Sequence, residues 1–389
     1  MSALITVFKK ELTDMFRDRR TVAISLVIGT LLGPLLMFGM IKLMANRVST
    51  QMEKPLTLAV EGVEHAPNLV DWLEGQNIII KPAPKNIDAA IADQSEDVIM
   101  RISADYGTQW RKSLPAKVEL IHDSTRQDAS IPVQRIESLL ENYSRTVGTL
   151  RLLARGVSPT AIQSIQIAHR DLATPQSRAG QILSFLPYLL ILTAFLGGAY
   201  LIIDVTAGER ERQSLEPLLA TPASRTSIMS GKILAACVFG LISLVISLMA
   251  FKICFLFSTG LGVKVELLMS TIALLLVVLI PILLIGACLL TLIAASVKSV
   301  KEAQSYMSIL MMLPLLPTII LMVNPVKNQV WMFAVPFLSQ NQMIMKLVRG
   351  EVISNIEWVV YLLAGFGLAA VLWAIAARMY HREKLAICA

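Results

Sequence analysis

The chain has 389 residues, of which 55% are hydrophobic and only 16% charged, with a mean hydropathy of +0.63. That mixture lies far from a soluble globular domain. The net charge of +7 does not argue for nucleic acid, because the lysines and arginines cluster beside apolar runs, as membrane topology requires. Cys237, Cys254 and Cys288 fall in apolar runs and Cys388 at the tail, so neither a disulfide framework nor a metal-site spacing is visible.

Residues 1–20 read as an amphipathic helix. Leu4, Ile5, Phe8, Leu12, Met15 and Phe16 share one face, with Lys9, Lys10, Asp14 and Arg17 elsewhere, a pattern that suits a helix lying in the interface on anionic lipid headgroups. Residues 21–45 form a first transmembrane helix, long enough to cross hydrocarbon and too long for the apolar core of a cleaved signal peptide. Gly29, Gly33 and Gly39 mark points where another helix can approach.

Residues 46–179 are polar and alternate strand with helix. Strands are predicted at Leu56–Val60, Asn77–Lys81, Val98–Ile102 and Val118–His122, and helices at Asn68–Leu73, Ile87–Ala92, Pro132–Ala154 and Pro159–His169. This is the pattern of a small α/β domain. Residues 180–206 form a second transmembrane helix, with Asp204 at its edge, where water or Arg210 is within reach.

Residues 207–226 are the most informative stretch: four charges at Glu209–Arg212, then Leu215, Leu218 and Leu219, with Pro217 and Pro222 disfavouring helix at Glu216 and Thr221. The expectation is a short broken helix on the membrane surface, with an apolar tip and a charged collar suited to a groove on a soluble partner.

Residues 227–389 hold four more transmembrane helices. The third carries Lys232 and Lys252 near its ends, where their stems can snorkel, and Ser224 or Thr226 is placed to cap its start. The fourth contains Pro281. The fifth has Pro314 and Pro317, which should bend or break its outer half, while Ser305, Tyr306 and Ser308 give its inner half a polar edge; these five are candidate pathway residues. An outer re-entrant hairpin is expected near 326–350, before the sixth helix.

The cations favour one side. Lys9, Lys10, Arg17, Arg19, Arg20, Arg210, Arg212, Arg225, Lys298, Lys301, Arg378, Arg382 and Lys384 fall on the face that the positive-inside rule makes cytoplasmic, against Lys264, Lys327, Lys346 and Arg349 on the other. Both termini are then cytoplasmic, and residues 46–179 extracytoplasmic. The sequence thus describes an α-helical polytopic membrane protein with six transmembrane helices, an N-terminal interfacial helix and an α/β extracytoplasmic domain between helices one and two.

Glu209-Arg-Glu-Arg-Gln-Ser-Leu-Glu-Pro-Leu-Leu-Ala-Thr-Pro222 also resembles the signature between the second and third spans of ABC-2 type exporter permeases, particularly the NatB-like branch. The resemblance implies that Glu209, Arg210, Glu211, Leu215, Glu216, Leu218, Leu219, Thr221 and Pro222 couple the chain to a cytoplasmic ABC ATPase. It implies that the interfacial helix, through Phe8, Leu12, Met15, Phe16 and Arg17, touches the same partner. It further implies a second permease copy or related chain, and the bacterial cytoplasmic (inner) membrane as location. NatB-like members are named for sodium efflux, and other members carry drugs, lipids and peptides. No G-x-x-x-x-G-K-[ST] occurs in the chain, so it is expected to hold no cofactor of its own, with ATP and Mg on the partner, and to be no enzyme. The alternatives are a membrane sensor or scaffold using the outer domain for recognition, and an ion-driven secondary transporter, which would call for mid-membrane charges and repeated spans.

Overall fold

The computed structural model describes residues 3–53, 56–126, 129–162, 183–214, 217, 221–258, 267–323 and 329–381. The chain divides into two compact units, one of Met1–Ala45 with Leu172–Ala389 and one of Asn46–Asp171.

The second unit is α/β. β1 (Leu56–Glu61) lies parallel to both β2 (Ile78–Pro82) and β3 (Ile99–Ile102), and β4 (Val118–Ile121) closes the sheet antiparallel to β3, in the order β2-β1-β3-β4. Alternation along the strands gives the sheet two apolar faces. Leu58, Val60, Met100 and Ile102 pack with Leu69, Leu73 and Ile136, whereas Ala59 and Ile99 pack with Ile87, Ala90 and Ile91. The predicted strands hold to within a residue or two at each end. A short helix at Tyr106–Arg111 was not predicted: its six residues span too little of a helical period to read. The helix expected at Pro159–His169 is a 3-10 turn at Pro159–Ile162, and the rest of it lies outside the described residues.

The other unit is helical. Numbering the longer helices among the described residues in chain order, α1 is Ala3–Arg17, α2 Gly29–Glu53, α3 Pro67–Glu74, α4 Ile87–Ala92, α5 Tyr106–Arg111, α6 Ser130–Ala154, α7 Leu186–Glu211, α8 Arg225–Ser258, α9 Met269–Ser296, α10 Val300–Met312, α11 Leu315–Val323, α12 Leu338–Arg349 and α13 Asn355–His381. Among the described residues, five helical stretches are long and apolar enough to cross a membrane, namely α7, α8, α9, Val300–Leu321 and α13, and Gly29–Leu43 of α2 is a shorter apolar helix. The chain is a multi-pass membrane protein.

α9 is central, packing on α7, α8, α12 and α13, with Leu275, Val278, Leu279 and Ile282 fully buried. Two glycines set the packing of α7 and α1 on α8. A Cβ at Gly198 would lie 2.6 Å from the Ala236 carbonyl oxygen, and one at Gly231 would lie 3.0 Å from Val7. Small residues therefore let both helices approach α8 closely. Of the three glycines singled out in the first span, only Gly33 faces another helix, at van der Waals distance from Leu189; Gly29 meets only Ile24 of its own chain segment and Gly39 meets nothing within 4 Å among the described residues.

The fifth span is interrupted between Met312 and Leu315, where Pro314 and Pro317 remove backbone donors. Ser299 caps α10 by accepting from the Glu302 amide, and Ser224 caps α8 by accepting from the Ser227 amide. After a 3-10 turn at Val330–Ala334, α12 ends on Gly350 in the left-handed region, the usual glycine terminus.

Candidate functional site

The charged half of the signature is not a surface loop. α7 continues through a π-helical turn at Asp204–Gly208 to Glu211, and Gln213, with φ of +57°, ends it. The amide and hydroxyl of Ser214 both donate back to the Glu209 carbonyl, at 2.9 and 3.2 Å. The expected boundary at residue 207 therefore falls inside a helix, because Glu209, Arg210 and Glu211 find partners inside the chain. Asp204 pairs with Arg212, at 2.5 Å, and not with Arg210.

Glu209 turns into the bundle. Its carboxylate accepts from Lys232 and, at 3.4 Å, from Lys10, and Lys232 also donates to the Val205 carbonyl at 2.5 Å. Lys10 in turn reaches Glu11 at 3.2 Å. Two lysines and two glutamates thus alternate across α1, α7 and α8, balancing their charge where Lys232 is 1% exposed and Glu11 3%. Desolvation makes such a cluster tolerable only when every charge has a partner. Lys232 does not snorkel as expected, because the carboxylate lies beside it. Burial pushes the Glu11 carboxyl above its ordinary range, with Lys232 and then Lys10 pulling it back.

Arg210 and Glu211 face the α9–α10 junction. Arg210 donates to the carbonyls of Ala295 and Val297, at 3.3 and 3.0 Å, and Glu211 accepts from the Val300 amide at 2.9 Å. A cation thus sits at the C-terminus of one helix and an anion at the N-terminus of the next, each satisfying groups the helix leaves open. Arg225 repeats the device at the end of α13, donating to the carbonyls of Tyr380 and His381 at 3.4 and 3.2 Å. The end of α7 thus engages α1, α8, the C-terminus of α9 and the N-terminus of α10, and Arg225 separately ties the start of α8 to the end of α13.

The tip is different. Leu215, Glu216, Leu218 and Leu219 lie outside the described residues, while Pro217, Thr221 and Pro222 are exposed. In α1 the inward stripe is Val7, Glu11 and Met15; Phe8 and Leu12 pack partly against the core, and Phe16 and Arg17 are exposed. The face read from the sequence, Leu4, Ile5, Phe8, Leu12, Met15 and Phe16, shares Met15 with this stripe and omits Val7 and Glu11. Ser305, Tyr306 and Ser308 are exposed, Pro314 is buried and Pro317 half-buried. The structure therefore brings Glu209 together with Lys10, Glu11 and Lys232, turns Arg210 and Glu211 onto the α9–α10 junction, and sets Arg225 on the end of α13. Among the four that the sequence did not assign to the site, Lys232 had the clearest signal: a lysine just inside an apolar helix that follows an acidic signature. Among the described residues no group of three His, Cys, Asp or Glu side chains is arranged to hold a metal ion.

The family described as ABC-2 family transporter protein matches residues 24–378. The ABC transporter permease protein NatB of Bacillus subtilis (strain 168) is 30% identical over 244 residues, which cover 62% of this chain and 61% of NatB.

Proposed function

Because the chain belongs to the ABC-2 transporter family, we propose that it is the membrane subunit of an exporter driven by ATP hydrolysed on a separate cytoplasmic ABC ATPase. The observation that carries this is the inward engagement of Glu209, Arg210 and Glu211. A segment whose head engages α1, α8 and the α9–α10 junction is built to pass a displacement of its tip into the bundle. The tip, Leu215 to Pro222, docks in the ATPase, and Glu216 meets basic groups at the rim. The groove between α1 and α7 carries Glu11, Asp14, Asp18, Asp204 and Glu209 against Lys10 and Arg212, an acidic excess that favours a basic partner surface on the same side.

In this reading six helices cross the membrane, Gly29–Leu43 lying within the first. Both termini are cytoplasmic, residues 46–179 are extracytoplasmic, and residues 326–350 form the outer re-entrant hairpin. A second permease copy or related chain covers the fifth span, whose apolar window is only 17% buried within this chain, and Ser305, Tyr306, Ser308, Pro314 and Pro317 border the route. ATP and Mg belong to the ATPase. Sodium is the first cargo to test, since the NatB-like branch the signature resembles is named for its efflux.

The test is a pull-down of the candidate ATPase with native permease and with Leu215→Ala/Leu219→Ala, at equal permease loading. Removing two apolar anchors should cost roughly 1–3 kcal/mol of binding each, so ATPase recovery and transport should fall while membrane abundance stays normal. Equal recovery from both would remove the tip as the principal dock.

A further inference from the structure

The α/β unit contains a cavity that the transport reading does not use. It measures about 480 Å³, within the roughly 300–1,000 Å³ of small-molecule sites. Its wall is aromatic: Tyr106 and Trp110 stack at 5.8 Å, and Trp110 and Tyr143 at 6.0 Å, with interplanar angles of 15° and 20°. Arg151 sits over the Trp110 ring, 4.6 Å from its centroid, and donates to the Trp110 carbonyl at 3.2 Å. No carboxylate among the described residues pairs with this guanidinium; Glu141, the acid on the lining, is exposed. Arg151 therefore presents an unneutralised positive charge beside an extended π surface.

Gly148 supplies a separate observation. It lies inside α6, where glycine weakens a helix relative to alanine, yet a Cβ there would meet nothing within 4 Å among the described residues. Packing among the described residues gives no reason for a glycine at this point. A backbone left bare beside an aromatic wall suits the close approach of a ligand.

We infer that this cavity binds an amphipathic small molecule with a flat aromatic body and an anionic group, the body packing against Trp110, Tyr143 and the apolar lining and the anion meeting Arg151. The aromatic faces provide area at low conformational cost, and the guanidinium provides the directional, charge-assisted contact.

The probe is 2-naphthalenesulfonate, with neutral 2-naphthalenemethanol and the 2-naphthyltrimethylammonium cation beside it. Binding to the full-length protein in nanodiscs is followed by ligand-observed NMR and referenced to empty nanodiscs. Saturable sulfonate binding is expected. Gly148→Leu should fill the cavity and weaken it by about tenfold or more, whereas Gly148→Ala, which adds little volume and strengthens the helix, should retain it. Arg151→Gln should weaken the sulfonate about fivefold or more and leave the neutral probe within about twofold. Thermal melts establish folding, and if Gly148→Leu fails to fold, Arg151→Gln decides the matter alone. Sulfonate binding no greater than to empty nanodiscs, equal binding by a folded Gly148→Leu, equal loss of charged and neutral probes in Arg151→Gln, or preference for the cation would each overturn the assignment.

Discussion

Two buried lysine–glutamate pairs stand at opposite ends of α13, and they differ in what they join. Lys346 and Glu357, 2.6 Å apart, are close in sequence, and Glu357 is also the third residue of a helix N-terminus. It accepts from the Ser354 amide at 3.0 Å while Ser354 accepts from its own amide at 3.3 Å, a reciprocal capping box. Lys346 also lies 5.2 Å from the centre of the Phe333 ring. Each member has an alternative partner, and the pair closes the short connection between α12 and α13. Lys232 and Glu209 join two helices and tie them to a third, α1, through Lys10, and Arg210 beside Glu209 extends the contacts to the end of α9. An ion pair of this second kind orders elements relative to one another, because its geometry exists only when those elements are assembled.

One substitution at both places should separate them. Lys232→Met leaves Glu209 buried with only the long contact to Lys10, and removing one partner of a buried pair costs about 3–5 kcal/mol. Thermal stability and membrane abundance should fall sharply. Glu209→Gln/Lys232→Met, which removes both charges, should recover most of the stability and little of the transport. A single variant as stable as the native chain, or a double variant no better than the single, would deny the pair its organising role.

Lys346→Met is the milder counterpart. Glu357 keeps its capping role and the favourable field of a helix N-terminus, so the loss should be about 1–2 kcal/mol. Differential scanning fluorimetry on the two purified variants compares them directly. Equal shifts in Tm would mean that burial alone, and not the number of elements joined, sets the cost.

This contrast also explains what could be read from the sequence. The membrane class, the apolar runs, the α/β pattern and the proline break are local signals of composition and periodicity, and Ser224 is a local cap. The family signature was equally local. The direction its charges face was not, since Glu209 meets Lys10 and Lys232 and Arg210 meets Ala295 and Val297 only through assembly of the bundle. Periodicity misplaced the inner face of α1 for the same reason: a glutamate scores as polar, and only Lys10 and Lys232 make its burial tolerable.

The smallest effect belongs to that glutamate. Glu11 is 3% exposed, and burial raises its carboxyl pKa despite Lys232 and Lys10. The folded chain therefore holds this proton more tightly than the unfolded chain. By linkage, its stabilising contribution is complete below the ordinary carboxylate range and is lost as pH rises through the raised value. Glu11→Gln keeps an oxygen for the Lys10 contact and removes the titration. Stability at neutral pH should stay within about 1 kcal/mol of native or rise slightly, since replacing one member of a crowded charge cluster by a neutral acceptor relieves desolvation. The informative quantity is the difference between native and Glu11→Gln stability measured from mildly acidic to neutral pH. That difference should move against the native chain as pH rises, and a flat difference would place the Glu11 pKa at its ordinary value and leave the cluster governed by Glu209 alone.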